Sequence, residues 1–330
     1  MATATTHAKA VRIHAFGGPD VMVLEDLELP PPAAGEVQVR QIAVGFNYID
    51  VYQRTGVYPL PLPTGLGHEA AGVVEALGEG VTTLKVGDRI AYINAGIGAY
   101  ADRRNLPAER LVVIPDSISD EEAAAVIFKG LTAQYLLRKT YEVQPGDIVL
   151  IHAAAGGVGQ IMSSWAKALG AFVIGTAGSP AKCAIAKAAG CDVAINYSEA
   201  DWPEQVIAAS GGRKARVVYD SVGKDTFLKS LDCVAPFGLM VIFGSASGPA
   251  PDVSPELLSK KGSLYLTRAS VFPRNADPAD LRANAAELFA ALAAGHVKPV
   301  IAARFPLADV VSAHRMAEAR TNAGAILLIP

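Results

Sequence analysis

The chain has 330 residues, of which 51% are apolar and 18% charged, with a formal net charge of −3 and a pI near 6.1. That length suffices for two domains with a sizeable core, and the composition is globular rather than disordered. No basic stripe argues for nucleic acid as the main partner, and no apolar run reaches the roughly 18 residues a membrane span needs.

The start, MATATTHAKAVRI, has no apolar core of signal-peptide length, so the expected localisation is cytoplasmic. Residues 10–120 read mainly as β. EVQVRQIAVG alternates, AGVVEALG and DRIAYI are short apolar runs, and Gly and Pro punctuate them. NYIDVYQRTG interrupts this pattern as a helix. SDEEAAAVIFKGLTAQYLLRK predicts another, capped at Ser119 or Asp120 with acids in its first turn.

After Pro145 strands and helices alternate. DIVLIHA, FVIGTA, VAINY, RVVYD, LMVIFG and LYLTRA read as strands. GQIMSSWAKALGA, ended by Gly170, and PAKCAIAKAAGCD, with Gly190 near its end, read as helices. Apolar strands spaced this way predict a parallel, doubly wound sheet, so the fold class is α/β. The tail reads as a long helix (ADLRANAAELFAALAAG), a loop, a second helix (ADVVSAHRMAEAR) and a final apolar run, AILLIP. The expected organisation is a β-rich domain over 1–127, a nucleotide-binding domain over 128–274, and a C-terminal segment, 275–330, returning to the first.

Cys183, Cys191 and Cys233 are odd in number and lack metal-like spacing, so they read as buried or half-buried thiols in a reducing compartment.

The strand DIVLIHA runs into AAGGVG and then a helix. Ala154, Ala155, Gly156, Gly157, Val158 and Gly159 fit a dinucleotide turn in which Ala154 replaces the first glycine. Gly156 lets backbone approach a pyrophosphate, Gly159 lets the helix lie close on the strand, and the helix N-terminus offers N–H groups to phosphate. An NAD site places an acid at the end of the next strand. Here no Asp or Glu lies between Gly170 and Cys191. That strand ends through Thr176 and Gly178 into Ser179 and Lys182, with Tyr197 ending the following strand. A hydroxyl and an ammonium in place of a carboxylate suit a 2′-phosphate, so NADPH is the expected cofactor. Phe243, Gly244 and Ser245 end one later strand, Thr267, Arg268 and Ala269 the last, all on the edge where such sheets bind ligands. Asp220 and Ser221 end another and are expected to order that edge, with Ser221 near the cofactor.

GFNYIDVYQRTG, GHEAAGVVEALG, FKGLTAQYLLRKTY, HAAAGGVGQ, WAKALGA, INY, VVYDSVG and GLMVIFG occur in this order over almost the whole chain, to the closing LLIP. The chain resembles the zeta-crystallin-like quinone oxidoreductases of the medium-chain dehydrogenase/reductase superfamily. The resemblance implies a GroES-like catalytic domain, a Rossmann domain, NADPH, a quinone as small-molecule substrate, and a homodimer joined through edge strands, for which LYLTRA is the candidate. It also places Lys129, Thr132 and Arg320 against the cofactor.

In zinc-dependent members of that superfamily a cysteine, the histidine of a GHE sequence and a second cysteine hold catalytic zinc. Here those positions are Asn47, His68 and about Phe128. An amide is a poor zinc ligand and a phenyl ring is none, so no metal is expected. His68 then reads as a structural residue bonding locally, and Glu69 as bonding backbone or a cation. Asn47 is expected to face nicotinamide and substrate, with its amide on the quinone oxygen. Tyr52, about one helical turn on, is expected to point the same way with its phenol as donor, and Tyr58 to line the pocket mouth. A metal-free site suits a quinone, which accepts hydride without a Lewis acid. Two alternatives stay open: an NADPH-dependent 2-alkenal or enone reductase, and a nucleotide-binding crystallin-like or RNA-binding protein.

Overall fold

A computed structural model describes residues 5–319 and 323–330. In chain order, β1 (Thr6–Ile13), β2 (Met22–Leu29) and β3 (Glu36–Gly45) lead into α1 (Tyr48–Arg54). The strands β4 (Thr64–Gly65), β5 (Glu69–Leu77), β6 (Arg89–Ile93), β7 (Arg103–Pro107) and β8 (Leu111–Val113) follow. Next come α2 (Asp120–Tyr135), whose last turn widens into a π-turn over Leu136–Thr140, then β9 (Ile148–Ile151), α3 (Gly157–Ala168), β10 (Phe172–Ala177) and α4 (Pro180–Ala188). The chain continues through β11 (Val193–Asn196), α5 (Trp202–Ala209), β12 (Ala215–Asp220), α6 (Phe227–Cys233), β13 (Val234–Ile242), α7 (Pro255–Lys260) and β14 (Tyr265–Arg268). It closes with α8 (Val271–Arg274), α9 (Pro278–Ala293), β15 (Ile301–Pro306), α10 (Val310–Glu318) and β16 (Ala325–Ile329).

The chain forms two compact units. The first comprises 1–128, 272–289 and 299–330, the second 129–271 and 290–298.

In the first unit a sheet runs β15-β16-β3-β5-β6-β8 with β7 also pairing β3, and a smaller one runs β2-β1-β4. Its core joins Val11, Ile13, Val37, Val39, Tyr92, Tyr100 and Leu106 to Leu307, Val310 and Leu328 from the end of the chain. A buried polar network ties that end down. The guanidinium of Arg54, fully buried, donates to the Gly17 carbonyl (3.1 Å), to His314 Nδ1 (2.9 Å) and to Glu318 (2.7 Å). Tyr100 gives its one hydroxyl proton to Asp50 Oδ2 (2.8 Å), so it accepts from His314 Nε2 at 3.2 Å. His314 is therefore neutral with a bare Nδ1. Burial first, and Arg54 second, hold its pKa at about 3.

The expected loop between the two tail helices contains β15. Its IAARFP half-buries alternate residues and exposes the rest, pairs parallel with β16 and stands at the sheet edge. A half-buried edge strand ending in proline carries a weak apolar signal.

In the second unit all six strand-like runs after Pro145 form one parallel sheet, in the order β11-β10-β9-β12-β13-β14. That is the doubly wound order with its switch point between β9 and β12. The core packs Trp202, Val206, Phe227 and Leu231 against Leu150, Ile174, Val218 and Met240. Cys191 and Cys233 are buried and Cys183 half-buried, and desolvation pushes the first two thiols to about 11 and about 12. Among the described residues no helix is long and apolar enough to cross a membrane.

Candidate functional site

In the first unit β3 ends at Gly45, the Phe46 N–H bonds the Ile326 carbonyl (3.0 Å), and the chain turns into α1 with Asn47 as its N-cap. Asn47 and Asp50 form a capping box, in which the Asp50 carboxylate takes the Asn47 N–H at 2.9 Å. The Asn47 side chain, nearly buried, donates through Nδ2 to Glu69 Oε1 at 2.8 Å. The other oxygen of Glu69 accepts the Phe128 N–H at 2.7 Å. Glu69 thus joins the positions of Asn47 and Phe128.

His68 places Nε2 2.9 Å from Gln53 Oε1 and its ring 6.1 Å from Phe128 and 5.4 Å from Phe272, centroid to centroid. An amide oxygen only accepts, so His68 donates from Nε2. Burial first, and Arg104 second, hold its pKa at about 4. It carries no spare proton near neutral pH. Among the described residues no group of three His, Cys, Asp or Glu has metal-site geometry.

Tyr52 and Tyr58 come together. Their rings lie 5.2 Å apart, and the Tyr58 N–H bonds the Tyr52 carbonyl (3.0 Å). Tyr48 stacks edge-on against Tyr52 at 5.2 Å, which makes an aromatic trio. Sequence reasoning missed Tyr48, although its i, i+4 spacing from Tyr52 was a usable signal. It also missed Gln53 as the partner of His68.

In the second unit β9 runs into a turn in which Ala153 takes a positive φ of 51°. Gly156 is the N-cap of α3, no side chain caps that helix, and Gly156, Gly157 and Val158 are half-buried at the rim. The first N–H groups of a twelve-residue helix therefore suit phosphate. A Cβ on Gly159 would overlap the Ala153 carbonyl and Ala154, so glycine there lets the helix start directly on the turn. Ala155 is buried, and its carbonyl accepts from Gln160 Nε2 at 2.8 Å.

At the end of β10, Thr176 is fully buried and its hydroxyl lies 2.7 Å from His152 Nδ1. Its carbonyl accepts the Ala154 N–H at 2.9 Å. The hydroxyl and carbonyl of Thr176, a residue expected beside the cofactor, are thus engaged under the turn. Ser179 caps α4 by accepting the Lys182 N–H (3.3 Å), and Lys182 is half-buried. A Cβ on Gly178 would stand 2.9 Å from the Tyr197 hydroxyl, so the phenol lies directly over that glycine. Gly178, Ser179, Lys182 and Tyr197 thus gather at one corner. The fit to a phosphorylated ribose rests on this corner, which offers a hydroxyl, an ammonium and a phenol.

Asp220 accepts from the N–H groups of Val222 (2.7 Å) and Gly223 (3.0 Å) and from the Thr226 hydroxyl (2.8 Å), so it orders the turn after β12 beside Ser221. Phe243, Gly244 and Ser245 follow β13. A Cβ on Gly244 would stand 2.7 Å from the Ser221 carbonyl, which brings these two turns together. Thr267 and Arg268 end β14, and the Ala269 N–H bonds the Ile242 carbonyl (2.9 Å). Lys129 and Thr132 are nearly buried one turn apart on α2. Arg320 lies outside the described residues.

Family models for an alcohol dehydrogenase GroES-like domain and a zinc-binding dehydrogenase match residues 33–116 and 157–290. A quinone oxidoreductase of Pseudomonas aeruginosa is 49% identical, over 98% of this chain and 100% of that one. A 2-haloacrylate reductase of a Burkholderia species is 43% identical, over 97% and 98%. The structure of Escherichia coli quinone oxidoreductase complexed with NADPH superposes with a TM-score of 0.95 at 46% identity, covering 98% of this chain and 100% of that one. Likeness of this order along the full length means that the chain belongs to the quinone oxidoreductase family of the medium-chain dehydrogenase/reductase superfamily.

Proposed function

We propose that the protein is an NADPH-dependent quinone reductase that works without a metal. The observation that carries this reading is the state of the polar groups around Asn47. Glu69 is engaged by two donors, and His68 is neutral and bonded to Gln53. Hydrogen-bond donors and aromatic rings gather here, while the histidine cannot release a proton near neutral pH. Such a site orients a flat ring and stabilises a developing oxyanion.

NADPH, when bound, supplies the hydride. The uncapped start of α3 holds its pyrophosphate, and Ser179, Lys182 and Tyr197 hold its 2′-phosphate. Lys129, Thr132, Ser221, Phe243, Gly244, Ser245, Thr267, Arg268 and Ala269 complete the cofactor's surroundings. Asn47 presents its remaining amide N–H to the substrate oxygen. Tyr52 donates from its phenol, and Tyr58, 38% exposed, lines the entrance. The protein acts in the cytoplasm as a homodimer. The edge strand β14, with Tyr265 64% exposed, is the pairing surface.

A second reading is reduction of an activated carbon–carbon double bond. It is favoured by the 43% identity to the 2-haloacrylate reductase. The same donors would stabilise an enolate.

The test is NADPH oxidation by the chelator-treated protein with 1,4-benzoquinone and a 2-alkenal side by side. A quinone rate well above the alkenal rate supports quinone reduction, whereas a dominant alkenal rate moves the function to double bonds. Loss of both on chelation, with recovery on adding zinc, overturns the metal-free mechanism.

A further inference from the structure

We propose that Glu69 is the positioning residue of the Asn47 carboxamide and decides which polar atom of that amide meets the substrate. This rests on the reading that Asn47 faces the reacting oxygen.

The geometry is restrictive. Glu69 is fully buried, and its two oxygens hold the Asn47 Nδ2 and the Phe128 N–H. A carboxylate only accepts, so the nitrogen of the amide must face it. An amide turned over would set its carbonyl oxygen against an anion. The second N–H on Nδ2 is then the group left for a ligand oxygen.

The main chain of Asn47 is held by the Asp50 carboxylate, and the capping box turns the amide oxygen to the Asp50 N–H, which leaves the amide nitrogen to Glu69. Replacing the Glu69 carboxylate leaves the contacts to Asp50 in place. Room for the bridge comes from β3: a Cβ on Gly45 would overlap the Glu69 carboxylate. Gly45 pairs with Glu69 across the β3–β5 ladder, so a side chain there would compete for the space. A carboxylate that served only to fill the core would not need both of its oxygens on donors at the start of α1 and on α2.

The experiment is a double-mutant cycle in the full-length protein, with 1,4-benzoquinone as substrate and kcat and both KM values read separately. Asn47→Ala is expected to lower kcat about 100-fold, as loss of an oxyanion donor does. Glu69→Gln is expected to lower kcat about tenfold or more, because its own amide N–H displaces or inverts the Asn47 amide. KM for NADPH should move less than about twofold in either variant, since neither residue is placed on the phosphates. The double variant Asn47→Ala/Glu69→Gln should match Asn47→Ala within about twofold, because Glu69 acts through Asn47.

Multiplying losses in the double variant, or an undiminished kcat in Glu69→Gln, overturns the role of Glu69. An undiminished kcat in Asn47→Ala instead overturns the reading beneath it, and the proposal with it.

Should Glu69→Gln not fold, Gly45→Ala displaces the carboxylate without removing it, and the same loss of kcat is expected. The side-chain amide signal of Asn47 in 15N-labelled protein, identified by its loss in Asn47→Ala, reads the bridge without turnover. It should shift in Gly45→Ala, and an unchanged signal there overturns the proposal.

Discussion

His152 Nε2 stands 2.8 Å from the Ser230 hydroxyl, and the direction of that bond is fixed by a third group. Ser230 also lies 2.8 Å from the Thr226 carbonyl, which can only accept, so its single proton goes there. His152 therefore donates from Nε2 and accepts the Thr176 hydroxyl at Nδ1. The ring, edge-on to Trp202, joins the ends of β9 and β10 to α6 beneath the dinucleotide turn. Replacing it with leucine leaves the buried Thr176 hydroxyl without its acceptor, while Ser230 keeps its bond to the Thr226 carbonyl. We expect His152→Leu to cost about 2 kcal/mol, within the 1–3 kcal/mol of one buried group left unpaired. Urea unfolding followed by near-UV circular dichroism measures it, and an unchanged midpoint would refute the strut.

Three buried histidines share one sign. The pKa of His68 is held at about 4 and that of His314 at about 3, and burial also lowers that of His152. Unfolded, each returns to about 6.5. The unfolded chain therefore binds more protons below that pH, and stability falls with acid. The contribution is complete above about pH 6.5 and is lost as pH drops towards the folded values, at roughly a few kcal/mol for each of His68 and His314. The urea midpoint should fall steeply between about pH 6 and 4. His314→Asn should flatten that slope by close to one proton; an unchanged slope would remove His314 from the account.

Cofactor choice should turn on one charge. Lys182→Glu sets a carboxylate at the corner with Ser179 and Tyr197 that we propose for the 2′-phosphate. We expect kcat/KM for NADPH to drop about 100-fold while that for NADH changes less than about threefold. Equal losses for the two cofactors would mean that Lys182 does not read the 2′ position.

Gly159→Ala should separate cofactor binding from folding. Its methyl group would overlap the Ala153 carbonyl and Ala154, and so push α3 off the turn. We expect NADPH affinity, read by fluorescence titration, to weaken at least about tenfold, with far-UV circular dichroism unchanged. Retained affinity would show that the turn adapts.

The sequence was most informative where burial is complete. The strands β9, β10, β12 and β13 announced themselves because the inner strands of a parallel sheet are covered on both faces and read as largely apolar runs. The edge strand β15 did not, since it only half-buries alternate residues and ends in a proline. Gly156 and Gly159 were legible because backbone geometry alone demands small residues there. The Asn47–Glu69–Phe128 bridge was not, since it joins positions 22 and 59 residues apart and depends on the space left at Gly45. The bond from Thr176 to His152 was not legible either, because position along a strand says which end a residue occupies, and not whether a buried histidine has claimed its hydroxyl.

The path of the chain through the first unit has a consequence for synthesis. Its central sheet sets β16 against β3, and Arg54 closes on His314 and Glu318, so residues near the start wait for residues near the end. The six-stranded sheet of the second unit is complete by Arg268. On the ribosome the second unit can close while the first still exposes the flank of β3. A stall or premature stop before β16 would release a chain with a finished nucleotide-binding sheet and an open apolar edge, the form that chaperones and proteases meet first.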